Sequence, residues 1–471
     1  MSHCDSDCQS LSLLHYQSSS SSWNHIAVME AFPVLDIHTG NVRDVWPSLK
    51  LGIMTADFIA LDLELSGLGD RKKLCSKCLE ERYAGVCDAA NTRSIISLGL
   101  SLFRSSGQED EAVSQSAYTV QTYNILSLCS QSYTVEPEAL RFLRRHGFDF
   151  NKQCSAGLSY TRGSPQEEVE KDISLNHIFY LLVFSHKPLV LHNGLVDLVF
   201  LYRNLHLKLP LKLSTFLADV EDLFPSGVFD TKYIAEYHVR SRASYLQYVF
   251  RTCWEWNNEQ SKSMNFSFLP PPSSDDMYMF TLTTHTASTL PVCKQYAAHG
   301  WCPQADECTE SHDLTNILHS EKLKSVVLKN RKRRLKAKER RKKSKVIKSD
   351  LPEVSAEDII NPFSHPDSMS AEGHTELETS TDVASHVLTT CKDVTKLADG
   401  HRAGVDAFMT GVCYCIMGAQ LSNRKLSLQD MRNKVYLSGK TLPLHVTKGN
   451  FGKISSLHME KMKLLKAKAI L

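Results

Sequence analysis

No run of about 18 consecutive apolar residues, the length a membrane-spanning helix needs, is apparent in this 471-residue chain. The start, MSHCDSDCQSLSLLHYQSSSSSWNH, lacks a basic region leading into an apolar run, so no secretory leader is expected. Without one, the fourteen cysteines do not read as a disulfide scaffold. They read as reduced thiols with local metal use. Net charge is nearly absent, at +2, but the charge is unevenly spread. Residues 351–390 contain no Lys or Arg and eight acidic residues. Such a segment cannot bury enough apolar surface to order itself. A hydrophobic content of 42% fits a folded core with disordered appendages.

The most informative feature that is present is an acidic pair. FIALDLEL (58–65) alternates and is rich in branched residues, so it reads as a buried strand. Residues i and i+2 of a strand share a face. Asp62 and Glu64 therefore project together. Two buried like charges are costly unless a cation compensates them. Hard oxygen ligands suit magnesium or manganese. A strand edge with two solvated acids is the plain alternative.

Residues 1–30 are Ser-rich and expected to be disordered. A first folded part is expected over 31–253, with SIISLGLSLF and AYTVQTYNILS forming a strand meander around the acidic pair. Strands alternating with helices follow, which gives an α/β or α+β class. The stretch 254–290 reads as a linker, with NNEQSKSMNF and LPPPSSDD. A finger is expected at 291–316, a basic tract at 329–348 and an acidic linker at 349–397. Apolar pattern returns at 398–450, before a basic tail at 451–471. Cys75 and Cys78 form one CxxC without a second pair and read as ordinary thiols.

Cys293, Cys302, Cys308 and His312 have the spacing C-x8-C-x5-C-x3-H. Three thiolates and an imidazole satisfy a tetrahedral structural Zn²⁺, and so short a segment needs the metal to fold. The pattern resembles the CCCH fingers, many of which hold single-stranded RNA, with Tyr296 and Trp301 as stacking candidates. A purely structural or protein-binding finger is the alternative. Thirteen of residues 329–348 are Lys or Arg, among them Lys329, Arg331, Lys332, Arg333, Arg334, Arg340, Arg341, Lys342 and Lys343. Such density reads as a nuclear localisation signal, an RNA-phosphate contact, or both.

Two further acids complete a constellation: Asp197 in LHNGLVDLVFLY and Asp406 in HRAGVDAFMTG, with His401 five residues before it. The order DxE, HNGxxD, HxxxxD resembles the DEDD exonucleases of the His-containing subclass, a ribonuclease H-like fold. It is similar to the CAF1-type deadenylases, and most of all to their nuclear, finger-bearing branch. FPVLDIHTGN, TADFIALDLELSGLGDR, EERYAGVCDAANTRSIISLGL, PLVLHNGLVDLVFLY, FDTKYIAEYH and NKVYLSGK carry the likeness over roughly 32–445. The resemblance implies that Asp62, Glu64, Asp197 and Asp406 hold two Mg²⁺ ions (Mn²⁺ in their place), about 3.5–4 Å apart. His401 would orient or deprotonate a water. Ser66, Leu68, His192 and Asn193 become substrate-contact candidates, and Asp230 a structural or substrate-side acid.

The resemblance also implies 3′-to-5′ hydrolysis of single-stranded RNA: poly(A) or oligo(A) tails and the 3′ ends of small nuclear RNAs. The expected compartments are the nucleus, nucleolus and Cajal bodies, with nuclear speckles as a further one. Partner proteins or self-association fit some relatives, and no membrane is implied. Because Asp406 lies beyond the finger, the nuclease domain must be discontinuous, and the insert could swing the finger towards the held 3′ end. The competing readings are an RNA-binding adaptor built on a non-catalytic nuclease-like scaffold, and a DNA exonuclease with the same site.

Overall fold

The computed structural model describes residues 27–106, 116–163, 172–260, 263–269, 276–284, 290–349, 402–450 and 452–467. Eleven strands among them form one mixed sheet. They are β1 (Ala27–Ile37), β2 (Phe58–Leu65), β3 (Ile95–Ser105), β4 (Ser116–Cys129), β5 (Leu158–Tyr160), β6 (Leu189–Leu191), β7 (Val228–Asp230), β8 (Met264–Phe268), β9 (Met277–Thr284), β10 (Lys434–Val435) and β11 (Leu444–His445). The spatial order is β11-β10-β7-β6-β2-β3-β4-β1-β9, with β5 and β8 also paired to β4. β2, β3 and β4 form the antiparallel meander, and β6 runs parallel to β2.

Strand alternation sorts β2 between two cores. Ile59, Leu61, Leu63 and Leu65 face a layer that includes helices Val42–Thr55, Leu79–Thr92 and Leu175–Ser185. Phe58 and Ala60 face the other layer, where helices Leu246–Glu259 and Ala403–Ser422 lie. The period of two carries Asp62 and Glu64 onto that second face. A full α/β/α sandwich thus ends, on this side, in two carboxylates.

Helix Ala403–Ser422 lies across the second face and closes it. It reaches the length and apolar character of a membrane span, which the sequence reading passed over, yet most of it is buried inside the protein. Gly99 lets it approach. A Cβ there would stand 1.9 Å from the Ala403 carbonyl oxygen, and Gly99 is the register partner of Asp62. Gly99→Ala should therefore push the helix start off the sheet and cost about 1–3 kcal/mol. Urea unfolding of the variant checks this; an unchanged midpoint would contradict the close approach.

Four expectations are corrected. The stretch 254–290 is not a linker: helix Leu246–Glu259 runs into it, β8 pairs with β4, and β9 pairs with β1 over eight register positions. The reason is aromatic burial, since Phe268 and Phe280 pack on Phe32, and Phe266 stacks on Trp254. The N-terminal boundary at residue 30 moves to Ala27, where β1 begins. The basic tail is in part a docked helix, Ser456–Ala467, with Met462 and Leu465 in the core. Its buried His458 bridges His206 and Asp222, both at 2.8 Å.

The finger, too, is docked rather than tethered. Tyr245, Tyr296, Ala297 and Val292 pack around a core of Ala243, Tyr248, Ile317 and Leu318. Helix Leu314–Ser349 continues from the finger, anchored early by Tyr248 donating to Glu321 at 2.7 Å. Beyond, it carries Lys329, Arg331, Lys332, Arg333 and Arg334 into solvent. Arg340, Arg341, Lys342 and Lys343 lie on the same helix. The expected acidic linker lies outside the described residues after Ser349.

Candidate active site

One row of residues crosses the sheet at the same level: Asp62 opposite Gly99, Gly99 opposite Asn124, Asn124 opposite Asp36. Helix Ala403–Ser422 begins over this row. Asn124 fixes it there, its Oδ1 accepting from the Gly404 amide at 3.3 Å and the Ser97 hydroxyl at 2.9 Å, and its Nδ2 donating to Asp36 at 2.9 Å. Arg402, just before the helix, lies 4.3 Å over the Tyr278 ring and 3.8 Å from Asp36. This places Asp406 in the first helical turn, where the positive end of the helix dipole favours a carboxylate.

The result is a carboxylate cluster. Oxygens of Asp62, Glu64 and Asp406 lie within 4.8 Å of one another. Asp197 enters from the other side of β2, in the first turn of helix Leu195–Leu201 after β6. It stands outside that trio but close enough for its charge to act on it. Burial first, then the charges of Asp406 and Asp197, hold the carboxyls of Asp62 and Glu64 well above their usual range. Burial likewise raises Asp197 to about 7. Such a cluster is a poor arrangement for a protein alone and a good one for a hard divalent cation. The donor set fits Mg²⁺ or Mn²⁺. His401 lies outside the described residues.

The sign of the pH dependence follows. A carboxyl raised in the folded state binds a proton that the unfolded chain has already lost, so its favourable contribution is present at low pH and fades as pH rises through its folded value. For Asp197 the window runs from about 4 to about 7. In EDTA, Asp197→Asn should therefore gain thermal stability relative to the parent as pH rises from about 5 to about 8. Paired melting curves test it; a gap that narrows with pH would refute it.

The substrate-contact candidates divide. Ser66 is fully buried, its hydroxyl donating to the Thr134 carbonyl and accepting from the Ser94 amide, so it ties strands together and cannot meet a nucleotide. His192 is also committed internally. Its Nδ1 lies 2.9 Å from the Thr231 hydroxyl and its Nε2 3.0 Å from the Ser244 carbonyl. Burial, aided by Lys232, pushes it down to about 3. Leu68 is 50% exposed, on a loop whose Leu68 and Gly69 amides donate to Glu136. Asn193 is exposed at a left-handed φ of 65°. Both remain accessible.

Asp230 is structural. It is fully buried and accepts five main-chain amides: Asn193, Lys232 and Tyr233 on Oδ1, Gly194 and Tyr436 on Oδ2. It pins the turn that leads to Asp197. Of the two roles expected for Asp230 the structural one holds; sequence reasoning missed Asn124, which carries no local motif.

In the finger, ligand atoms of Cys293, Cys302, Cys308 and His312 gather within 4.8 Å. His312 Nε2 is buried without a hydrogen-bond partner among the described residues. This set could hold zinc. Tyr296 is half-buried and stacks on the His312 ring at 4.4 Å, so it braces the ligand instead of offering a base platform. Trp301 is 42% exposed, with the Arg71 guanidinium 4.7 Å from its ring centre. Cys75 and Cys78 are exposed and free, and they join no metal-ligand cluster among the described residues.

Comparison with known proteins adds the family. The CAF1 family ribonuclease model matches residues 37–176 and 164–414. The poly(A)-specific ribonuclease PARN of Arabidopsis thaliana is 27% identical over 159 residues, 31% of this chain and 22% of that protein. The pre-piRNA 3′-exonuclease trimmer of Bombyx mori is 26% identical over 149 residues, 31% of this chain and 28% of that protein. The chain thus spans roughly a quarter of the length of these curated relatives. Among solved structures, the Mg²⁺- and Mn²⁺-bound form of S. pombe Pop2p aligns with a TM-score of 0.37 and 19% identity, over 47% of this chain and 82% of that one. With the model matched across the strand of Asp62 and the helix of Asp406 alike, this chain belongs to the CAF1 family of ribonucleases.

Proposed function

We propose that the chain is a metal-dependent 3′-to-5′ exoribonuclease. It would remove poly(A) or oligo(A) tails and trim the 3′ ends of small nuclear RNAs as a nuclear, finger-bearing branch of its family. The observation that carries this is the trio of Asp62, Glu64 and Asp406 oxygens, gathered within 4.8 Å with Asp197 beside them. A scaffold has no use for four mutually repelling acids. The poly(A)-specific ribonuclease and 3′-exonuclease relatives support the substrate class.

Asp62, Glu64 and Asp406 would hold the metal, and Asp197, standing back, would complete a second position. Bound divalent metal supplies Lewis-acid polarisation of the phosphate and a hydroxide near neutral pH. The chain's own residues do the rest. Leu68 and Asn193, both accessible, would receive the terminal nucleotide. His401 would orient the attacking water and accept its proton. The exposed basic face from Lys329 to Arg334 would hold the RNA backbone without reading its sequence, and Zn²⁺ would shape the finger.

The test is degradation of a 5′-labelled RNA ending in oligo(A), with Mg²⁺ and with EDTA, beside an Asp406→Ala variant. A ladder shortening from the 3′ end and lost in EDTA and in the variant is expected. RNA binding without degradation would favour the adaptor reading, and equal hydrolysis of single-stranded DNA the DNA exonuclease.

A further inference from the structure

The segment Ser244–Tyr245 is gripped from two sides. On one side is the finger. Gly300 follows helix Lys294–His299 at φ +72°, and a Cβ there would meet the Tyr245 ring at 2.6 Å. Tyr296, which stacks on the His312 ring, also meets Tyr245 edge-on at 6.1 Å. On the other side is the nuclease domain. The Ser244 carbonyl accepts from His192 Nε2 at 3.0 Å and from Lys232 Nζ at 2.9 Å. His192 opens the turn His192-Asn193-Gly194, whose last two amides are held by Asp230. Asp197 sits one helical turn beyond.

A continuous set of packed and hydrogen-bonded groups therefore joins the Cys293–Cys302–Cys308–His312 cluster to Asp197. One end depends on zinc, because so short a finger has little fold without its metal. The other is a carboxylate of the nuclease site. We infer that the zinc-bound finger positions the Asp197 turn through Tyr245, Ser244 and His192, so that zinc occupancy sets the affinity of the nuclease site for its catalytic metal, independently of any RNA the finger holds. Ser244, Tyr245 and His192 are positioning residues on this view. The inference rests on the metal-dependent nuclease reading and extends it to regulation of the same site.

The test measures Mn²⁺ affinity at the nuclease site by electron paramagnetic resonance, and hydrolysis of an adenosine dinucleotide, which offers the finger no strand to hold. Wild type is compared with Cys308→Ser, Tyr245→Ala and Tyr245→Phe. Cys308→Ser removes a zinc ligand outside the sheet. Tyr245→Ala removes the ring the finger sits on. Tyr245→Phe keeps the ring and deletes a buried hydroxyl that has no partner among the described residues. Residues supporting a ligand from behind typically change metal affinity about 10–100-fold. Cys308→Ser and Tyr245→Ala should each weaken Mn²⁺ binding by about tenfold or more, with dinucleotide hydrolysis restored at saturating Mn²⁺. Tyr245→Phe should match wild type. Wild-type Mn²⁺ affinity in Cys308→Ser after its zinc is lost would overturn the inference, and this variant decides the matter if Tyr245→Ala fails to fold. Mn²⁺ affinity needs no turnover, so a wild type that binds Mn²⁺ but leaves RNA intact counts against the nuclease reading alone.

Discussion

Asp62→Ala, and separately Glu64→Ala, should lower RNA hydrolysis by about 10³-fold or more while the fold persists. The magnitude follows from the several kcal/mol of charge stabilisation a bound metal supplies, at about 1.4 kcal/mol per tenfold. The persistence of the fold follows from the electrostatics. Both carboxyls are held above their usual range by burial and by each other's neighbours, so the metal-free protein bears their repulsion. Deleting one relieves it. In EDTA the melting temperature of Asp62→Ala should equal or exceed that of the parent. Added Mg²⁺ should stabilise the parent by about 2.7 kcal/mol at a hundredfold excess over its dissociation constant, and the variant far less. Retained hydrolysis, or an undiminished Mg²⁺ response, would sink the assignment.

Asp230→Asn should do the reverse: harm the fold first and activity as a consequence. An amide in place of this carboxylate turns an NH₂ towards main-chain amides that now find an oxygen. Gly194 and Tyr436 depend on one oxygen, Asn193, Lys232 and Tyr233 on the other. Each buried donor left without an acceptor costs about 1–3 kcal/mol, so the variant should lose about 4 kcal/mol or more. That is a large share of the ~5–15 kcal/mol of an ordinary domain. Asp230→Ala should be at least as damaging, since it also leaves a void. Urea unfolding decides it, and a loss below about 1 kcal/mol would mean that the amides have other partners.

The acidic strand was legible because period and chemistry coincide within eight residues. FIALDLEL alternates, and the same alternation that buries Ile59 and Leu61 turns Asp62 and Glu64 to the opposite face. Asp406 was legible only through resemblance, since nothing local distinguishes an acid in the first turn of an apolar helix. β8 and β9 were misread because SKS and PPPSSDD flank them, and the aromatic residues that hold them find partners far away in sequence, on Phe32 and Trp254. Ser66 and His192 looked like substrate contacts because they neighbour the acids. Their hydrogen bonds run to Thr134, Ser94, Thr231 and Ser244, which no spacing rule connects to them. Gly99 carried a readable hint, since glycine inside a strand often marks the approach of another backbone. What approaches it could be learned only in three dimensions.

Helix Ala403–Ser422 has a consequence for the order in which the protein is made. The sheet through β9 leaves the ribosome long before this helix does. At ~5–20 residues per second, the interval between Thr284 and Ser422 lasts about 7–28 s. During it, Phe32, Phe103 and Val120 have no Phe408 or Val412 to cover them. The nascent domain should therefore present an apolar sheet face to chaperones, and it should carry Asp62 and Glu64 without Asp406. A chain interrupted in that interval before Asp406 is unfinished as a fold and lacks the third carboxylate of the cluster, so on the proposed function synthesis itself would withhold activity until Asp406 arrives.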